Sequence, residues 1–204
     1  MVPGTSPSAS CKIGLFGGSF DPVHLGHIEI AQRAKQALNL KEVRFLPCRI
    51  SPHKMDSCPA SAMDRLEMLR RATRDLNWAV VDDFEIQRDK DQASFSYLTA
   101  ESMQRKFPEA SLFWILGDDQ WERLTTWKHP ERLGQIVEFI VCTRHGIPQD
   151  QPGFRHHSIH TNHPASSTQI REALALGAKS HPWLDPQVAD WITRHNLYSQ
   201  PDHQ

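Results

Sequence analysis

Two histidines three residues apart, His24 and His27, are the groups in this chain best suited to chemistry; they sit in Ser19-Phe20-Asp21-Pro22-Val23-His24-Leu25-Gly26-His27, behind Lys12-Ile13-Gly14-Leu15-Phe16 and Gly17-Gly18. At that spacing they present two imidazoles at the mouth of a following helix. Gly17 and Gly18 allow backbone N–H groups to come close to a ligand, and Pro22 stiffens the turn between them and the histidines. Together, Gly17, Gly18, Ser19, Phe20, His24 and His27 form a loop that handles phosphate. The glycines follow neither the G-x-G-x-x-G spacing of dinucleotide oxidoreductases nor the G-x-x-x-x-G-K of a Walker loop, so hydride transfer and P-loop hydrolysis drop out.

A second group lies far downstream in Ala165-Ser166-Ser167-Thr168-Gln169-Ile170-Arg171. Three hydroxyl residues in a row can cap the helix that follows and donate to phosphate oxygens, while Arg171, one turn in, can fork onto a polyphosphate.

The elements that must position these groups follow from patterning. Short β-rich runs alternate with longer amphipathic ones: 13–16 then 28–38, 43–46 then 61–74, 79–81 then 97–107, followed by 112–116, a short helix near Glu122, and 137–141. That alternation predicts an α/β fold with a mostly parallel sheet, and the unbroken apolar run Leu112-Phe113-Trp114-Ile115-Leu116 predicts helices on both faces. Ser61 with Asp64 has the form of a capping box, and Asp185-Pro186 caps a C-terminal helix over 188–195, with Trp183, Trp191 and Ile192 as its core face. Residues 146–164, rich in Pro, Gly and His, read as an irregular excursion. Gly17-Gly18, Pro47, Gly117-Asp118-Asp119 and Thr143-Arg144 each follow a strand, and in an open parallel sheet such segments converge on one crevice.

Composition narrows the partners. With 204 residues, one domain is expected, residues 11–200, behind a frayed tail over 1–10 that has neither the charge nor the apolar core of a signal peptide. Lys and Arg total 23 against 24 Asp and Glu, so there is no basic surplus for nucleic acid or an anionic membrane. No stretch approaches the roughly 20 apolar residues of a membrane helix. The four cysteines form no C-x-x-C pair, which fits a reduced cytoplasmic protein. His156, His157, His160 and His163 have spacings that ligate zinc on a helix, yet Pro164 and the missing helical apolar face argue against it, and no protein-held metal is expected.

The loop ending in His24-Leu25-Gly26-His27 and the segment Ser166-Ser167-Thr168-Gln169-Ile170-Arg171 resemble the H-x-G-H and I-S-S-T-x-x-R motifs of the nucleotidylyltransferase superfamily, with Ala165 in place of isoleucine. Within it, residues 12–198 resemble the bacterial nicotinate-nucleotide adenylyltransferases: Ser51-Pro52-His53-Lys54 is similar to their P-P-H-K, Arg65-Leu66-Glu67-Met68 to R-x-x-M, Gly117-Asp118-Asp119 to G-x-D, and Leu124-Thr125-Thr126-Trp127 to L-x-x-W. The resemblance implies a Rossmann-like domain that makes nicotinate adenine dinucleotide and pyrophosphate from ATP and nicotinate mononucleotide, with Mg²⁺ arriving on ATP. It implies that His24, His27 and Arg171 carry the reaction, and that Gly17, Gly18, Ser19, Phe20, Gly117, Asp119, Ser166, Ser167 and Thr168 complete the ATP site. Phosphopantetheine adenylyltransferases share the two end motifs but are usually shorter and lack the P-H-K and L-x-x-W elements. A non-catalytic nucleotide sensor of the same fold is the reading from another class.

The remaining residues keep two readings each. Asp119 either accepts hydrogen bonds from ribose hydroxyls or caps the helix from Gln120; Trp127 either stacks on a pyridine ring or packs in the core; His53 and Lys54 either donate to phosphate or form a solvated pair. The family's nicotinate-carboxylate threonine falls on Ser96, still a hydroxyl donor, while its Tyr and Asp become Phe95 and Leu98. Lys128 follows Trp127 where the family offers a backbone N–H, and an inward cation there favours the acid over the amide. Cys48 replaces an asparagine common in the family.

Overall fold

A computed structural model describes residues 11–49, 60–88, 94–144 and 146–199. Six strands, Lys12–Gly18 (β1), Glu42–Pro47 (β2), Ala79–Val81 (β3), Ser111–Gly117 (β4), Val137–Thr143 (β5) and His156–His160 (β6), form one sheet in the order β3-β2-β1-β4-β5-β6. Every pairing is parallel, which is the Rossmann-like arrangement. The strand order reverses between β1 and β4, so the segments leaving their carboxyl ends turn to opposite sides and leave a crevice.

Helices cover both faces because the strands alternate apolar side chains with period two. Phe16, Val43, Phe45, Phe113, Ile115 and Ile140 share one core with Ala31 and Ala34 of Leu25–Leu38 (α1), Met68 and Leu69 of Ala62–Thr73 (α2), and Ile192 of the C-terminal helix. Leu15, Leu46, Trp114, Leu116, Phe139 and Val141 face the other core, opposite the helices between β3 and β5. A short helix, Phe84–Gln87 (α3), precedes Ser96–Lys106 (α4); Asp118–Glu122 (α5) leads through a 3-10 turn at Leu124–Thr126 to Pro130–Ile136 (α6). Ser167–Ala175 (α7) and Pro186–Arg194 (α8) follow β6.

Both capping signals are realised. Ser61 Oγ accepts the Asp64 N–H at 3.1 Å and donates to its carboxylate at 2.6 Å. Asp185 accepts the Gln187 N–H at 2.8 Å and also receives Arg74 Nη1 at 3.0 Å, tying α8 to the end of α2.

Three expectations need correction. The excursion over 146–164 contains β6, whose backbone pairs with β5 from Phe139↔His156 to Thr143↔His160. The strand escapes notice in the sequence because it lies at a sheet edge, where polar side chains are tolerated and only Ile159 is buried. It places His156 against Trp121, ring centroids 4.9 Å apart, and His157 within 2.8 Å of the Glu138 carboxylate. Next, α1 begins at Leu25 rather than Ile28, so the H-x-G-H segment is itself the helix start. Finally, of the expected core face of α8, Ile192 is buried with Val188 and Ala189 and Trp191 packs half-buried against the same core between Arg71 and His195, but Trp183, which also packs there, precedes the helix.

Candidate active site

The N-terminus of α1 is built from the two histidines. His24 is the N-cap, extended at φ −141° and ψ 168°. Its Nδ1 accepts the His27 N–H at 3.3 Å, and His27 Nδ1 accepts the His24 N–H at 3.2 Å. The rings stack at 3.7 Å and 22°. This is a capping box in which imidazoles replace the usual Ser and Glu. Because each Nδ1 accepts, the proton of a neutral ring must sit on Nε2, at the positive end of a helix dipole.

His24 is 8% exposed, and burial pushes its pKa down to about 4, reinforced by the charges of His163, Arg144 and His181. It is therefore neutral near pH 7 in the free protein. His27 leans edge-on against Phe20 at 5.1 Å, and Phe20 packs on Phe16 and Phe45 at 5.4 and 5.8 Å. Phe20 adopts a left-handed φ of 50°, a strain on the order of 1–3 kcal/mol for a bulky residue, which this packing sustains.

Gly17 and Gly18 are the last residues of β1, paired with Leu46 and Pro47 rather than free in a loop. A Cβ on Gly17 would stand 2.9 Å from the Trp114 ring, and one on Gly18 3.1 Å from the Phe20 ring, so packing already demands both glycines. At Gly26 a Cβ would meet Ala165 Cβ and His163 Nδ1, each at 3.2 Å. That glycine is what lets the second motif press onto the first turn of α1.

The two motifs are joined directly. Ser167 Oγ donates to the Pro22 carbonyl at 3.1 Å, and Arg171 Nη1 donates to the Asp21 carbonyl at 2.7 Å. Arg171 Nη2 reaches Thr168 Oγ1 at 3.5 Å. Ser166 is the N-cap of α7 by its backbone, but no side-chain bond caps that helix; the expected hydroxyl cap is replaced by the cross-link to the β1–α1 segment. Across the crevice, exposed Asp119 is the second residue of α5, where Gly117 is the N-cap and no side chain caps the helix, so the capping alternative is not the one adopted. A Cβ on Gly117 would stand 2.8 Å from Asp119 Oδ1, which puts the carboxylate over the end of β4.

A second wall forms around the start of α4. Ser96 is its first residue, and Lys128 Nζ stands 5.3 Å from the centroid of the neighbouring Phe95 ring. Tyr97 meets His129 edge-on at 5.0 Å. Trp127, half-buried, closes the 3-10 turn through its N–H to the Leu124 carbonyl at 3.0 Å and packs with Phe95 and Leu98 on the adjoining core. His53 and Lys54 lie outside the described residues.

Sequence reasoning assigned no site role to Asp21, Arg65, Arg144, His163, His181 or Tyr198. Arg65, first residue of the R-x-x-M resemblance, carried a further signal, a charge on the apolar face of α2 beside Leu66, Met68 and Leu69. It is 1% exposed and donates to the Ser19 carbonyl at 2.7 Å and the Arg49 carbonyl at 3.1 Å. The others are brought together by topology, for which no local pattern exists.

The residue pattern of the cytidylyltransferase-like family matches residues 15–173. A protein of Exiguobacterium sibiricum named "probable nicotinate-nucleotide adenylyltransferase" is 37% identical over 199 residues, covering 92% of this chain and 99% of its own. The chain belongs to the nicotinate-nucleotide adenylyltransferase family. It is accordingly an enzyme, a nucleotidyltransferase. A relative of the same name from Thermus thermophilus is 35% identical over 188 residues, covering 92% of this chain and 99% of its own. Among solved structures, Plasmodium falciparum nicotinic acid mononucleotide adenylyltransferase complexed with NaAD superposes with a TM-score of 0.76 at 19% identity, covering 92% of this chain and 97% of its own. At that identity the likeness is one of fold.

Proposed function

We propose that this chain joins ATP to nicotinate mononucleotide, releasing pyrophosphate and forming nicotinate adenine dinucleotide. The mononucleotide's phosphate oxygen attacks the α-phosphorus of ATP as the bond to the β-phosphate oxygen breaks, so no covalent enzyme intermediate is needed. What the protein must supply is alignment and stabilisation of charge on the α-phosphoryl oxygens. The reciprocal His24–His27 box carries this reading, because it makes each Nδ1 an acceptor and so sets the two rings as Nε2 donors at the N-terminus of α1, beyond the carboxyl end of β1. Those donors hold the triphosphate, the Ser166-Ser167-Thr168 hydroxyls and Arg171 meet the β and γ phosphates, and Gly17, Gly18, Ser19, Phe20 and Gly117 shape the floor. Asp119, free of a capping role, accepts from ribose hydroxyls.

Ser96, Trp127 and Lys128 bind the nicotinate moiety at the second wall, and His53 and Lys54 its phosphate. Among the described residues no three His, Cys, Asp or Glu side chains cluster to hold a metal ion, and the N–H and O–H donors of the crevice suit phosphate oxygens. These residues fit a Mg²⁺ carried by the triphosphate's own oxygens; when bound, it neutralises phosphate charge. Residues 11–200 act as one domain. No described helix is long and apolar enough to cross a membrane, and ATP as substrate, with no disulfide among the described cysteines, suits the reducing cytoplasm.

Pyrophosphate release, followed with ATP and each acceptor in turn, tests the assignment. Release with nicotinate mononucleotide well above that with nicotinamide mononucleotide or 4′-phosphopantetheine is the expected result. Release with phosphopantetheine alone, or ATP binding without turnover on any acceptor, would reject it.

A further inference from the structure

Behind the phosphate-binding face lies a set of buried charges that the reaction does not itself use. Asp21, 2% exposed, receives the Tyr198 hydroxyl on Oδ1 at 2.7 Å, while its main-chain carbonyl receives Arg171 Nη1 at 2.7 Å. Nearby Arg65, 1% exposed, is bonded to the Ser19 and Arg49 carbonyls. Burial pushes the Asp21 carboxyl pKa up, and the Tyr198 hydrogen bond, Arg171 and Arg65 pull the other way.

We propose that Asp21 is a positioning residue for ATP: Tyr198 holds its carboxylate while its main-chain carbonyl holds the Arg171 guanidinium, so that Arg171 meets the phosphates in one fixed orientation. The proposal rests on the reading that Arg171 binds the β and γ phosphates. Hydrogen bonding supports it: Arg171 spends Nη1 on the Asp21 carbonyl and Nη2 on Thr168 Oγ1, so its fork is set by the residue that Tyr198 grips. Backbone geometry supports it as well. Tyr198 and nearby Asn196 both take left-handed φ, 66° and 50°, conformations that non-glycine residues hold only when surrounding contacts over-determine them. Leu197 between them is tied to α8 by its N–H to the Ile192 carbonyl at 3.0 Å and packs on the core under α1 and α2. The segment after α8 thus reaches back 177 positions to grip the β1–α1 segment three residues ahead of His24.

Tyr198→Phe removes one hydroxyl and keeps the ring, so it is the decisive variant. In the full chain it should weaken binding of α,β-methylene-ATP and raise KM for ATP by about tenfold, while KM for nicotinate mononucleotide stays within a factor of two. Asp21→Asn should show a larger loss on the ATP side, and adding Tyr198→Phe to it should change ATP affinity little further, because both act through one carboxylate. If Asp21→Asn fails to fold, Tyr198→Phe carries the test by itself. Unchanged ATP affinity in Tyr198→Phe, or equal rises in KM for both substrates, would overturn the proposal and leave the network a structural staple. Arg171→Ala separates the two levels: if it leaves α,β-methylene-ATP affinity unchanged, the reading of Arg171 as a phosphate ligand is what fails.

Discussion

At the residue scale the defining feature is a histidine kept neutral where an anion must bind. A ring at about pKa 4 is uncharged throughout the range in which an ordinary histidine, near 6.5, would titrate. Neutrality in the free state spares His24 repulsion from His163, His181 and Arg144. A bound triphosphate reverses that field and raises the ring's pKa, so at pH 6 binding should draw a proton onto His24. Calorimetric titration of α,β-methylene-ATP in buffers of different ionisation enthalpy measures this directly. Proton uptake at pH 6 should fall clearly in His24→Asn; equal uptake in both proteins would assign it elsewhere. For folding the sign is the reverse: the depressed pKa contributes stability above about pH 6.5 that is lost as pH falls toward 4, on the order of 3 kcal/mol in full.

At the element scale, the start of α1 is a junction where three segments meet. The Leu25 N–H, which the helix itself cannot satisfy, is taken by the Trp183 carbonyl at 2.8 Å. Gly26 admits Ala165 and His163 against the same turn. Gly26→Ala therefore sets two effects against each other. Alanine improves helix propensity by about 1 kcal/mol, while its methyl must displace the 163–165 segment by a few tenths of an ångström. The melting temperature should move by no more than about 3 °C, since these terms oppose. Turnover should fall at least tenfold, because the displaced segment leads into Ser166 and Arg171. Near-normal kcat would mean that the two motifs need not be in register.

At the scale of the molecule, the segments after β6 are integral to the fold rather than appended to it. Helix α8 buries Val188 and Ile192 in the same core as α1 and α2, Asp185 pairs with Arg74, and Tyr198 closes on Asp21. Unfolding in urea should accordingly give one cooperative transition, with tryptophan fluorescence and far-ultraviolet dichroism coincident. An earlier transition seen by fluorescence alone, reporting Trp183 and Trp191, would mark the C-terminal segment as a separable unit.

Much of this protein is written in local pattern. Apolar runs of period two and amphipathic runs between them suffice for a parallel sheet covered on both faces; H-x-G-H with S-S-T-x-x-R points to the superfamily, and the motifs between them to the family. Caps at Ser61 and Asp185 are legible because a cap depends on neighbours two or three positions away. Strand β6 was hidden by its edge position, where burial no longer writes hydrophobicity into the sequence. Only the tertiary structure decided that Gly17 and Gly18 answer to Trp114 and Phe20, that the motif hydroxyl of Ser167 bonds Pro22, and that Asp21 joins Arg171 and Tyr198. The physical reason is range: helix and strand periodicity is set within a few residues, whereas which distant side chains meet depends on strand order and crossover packing, and those leave no local trace.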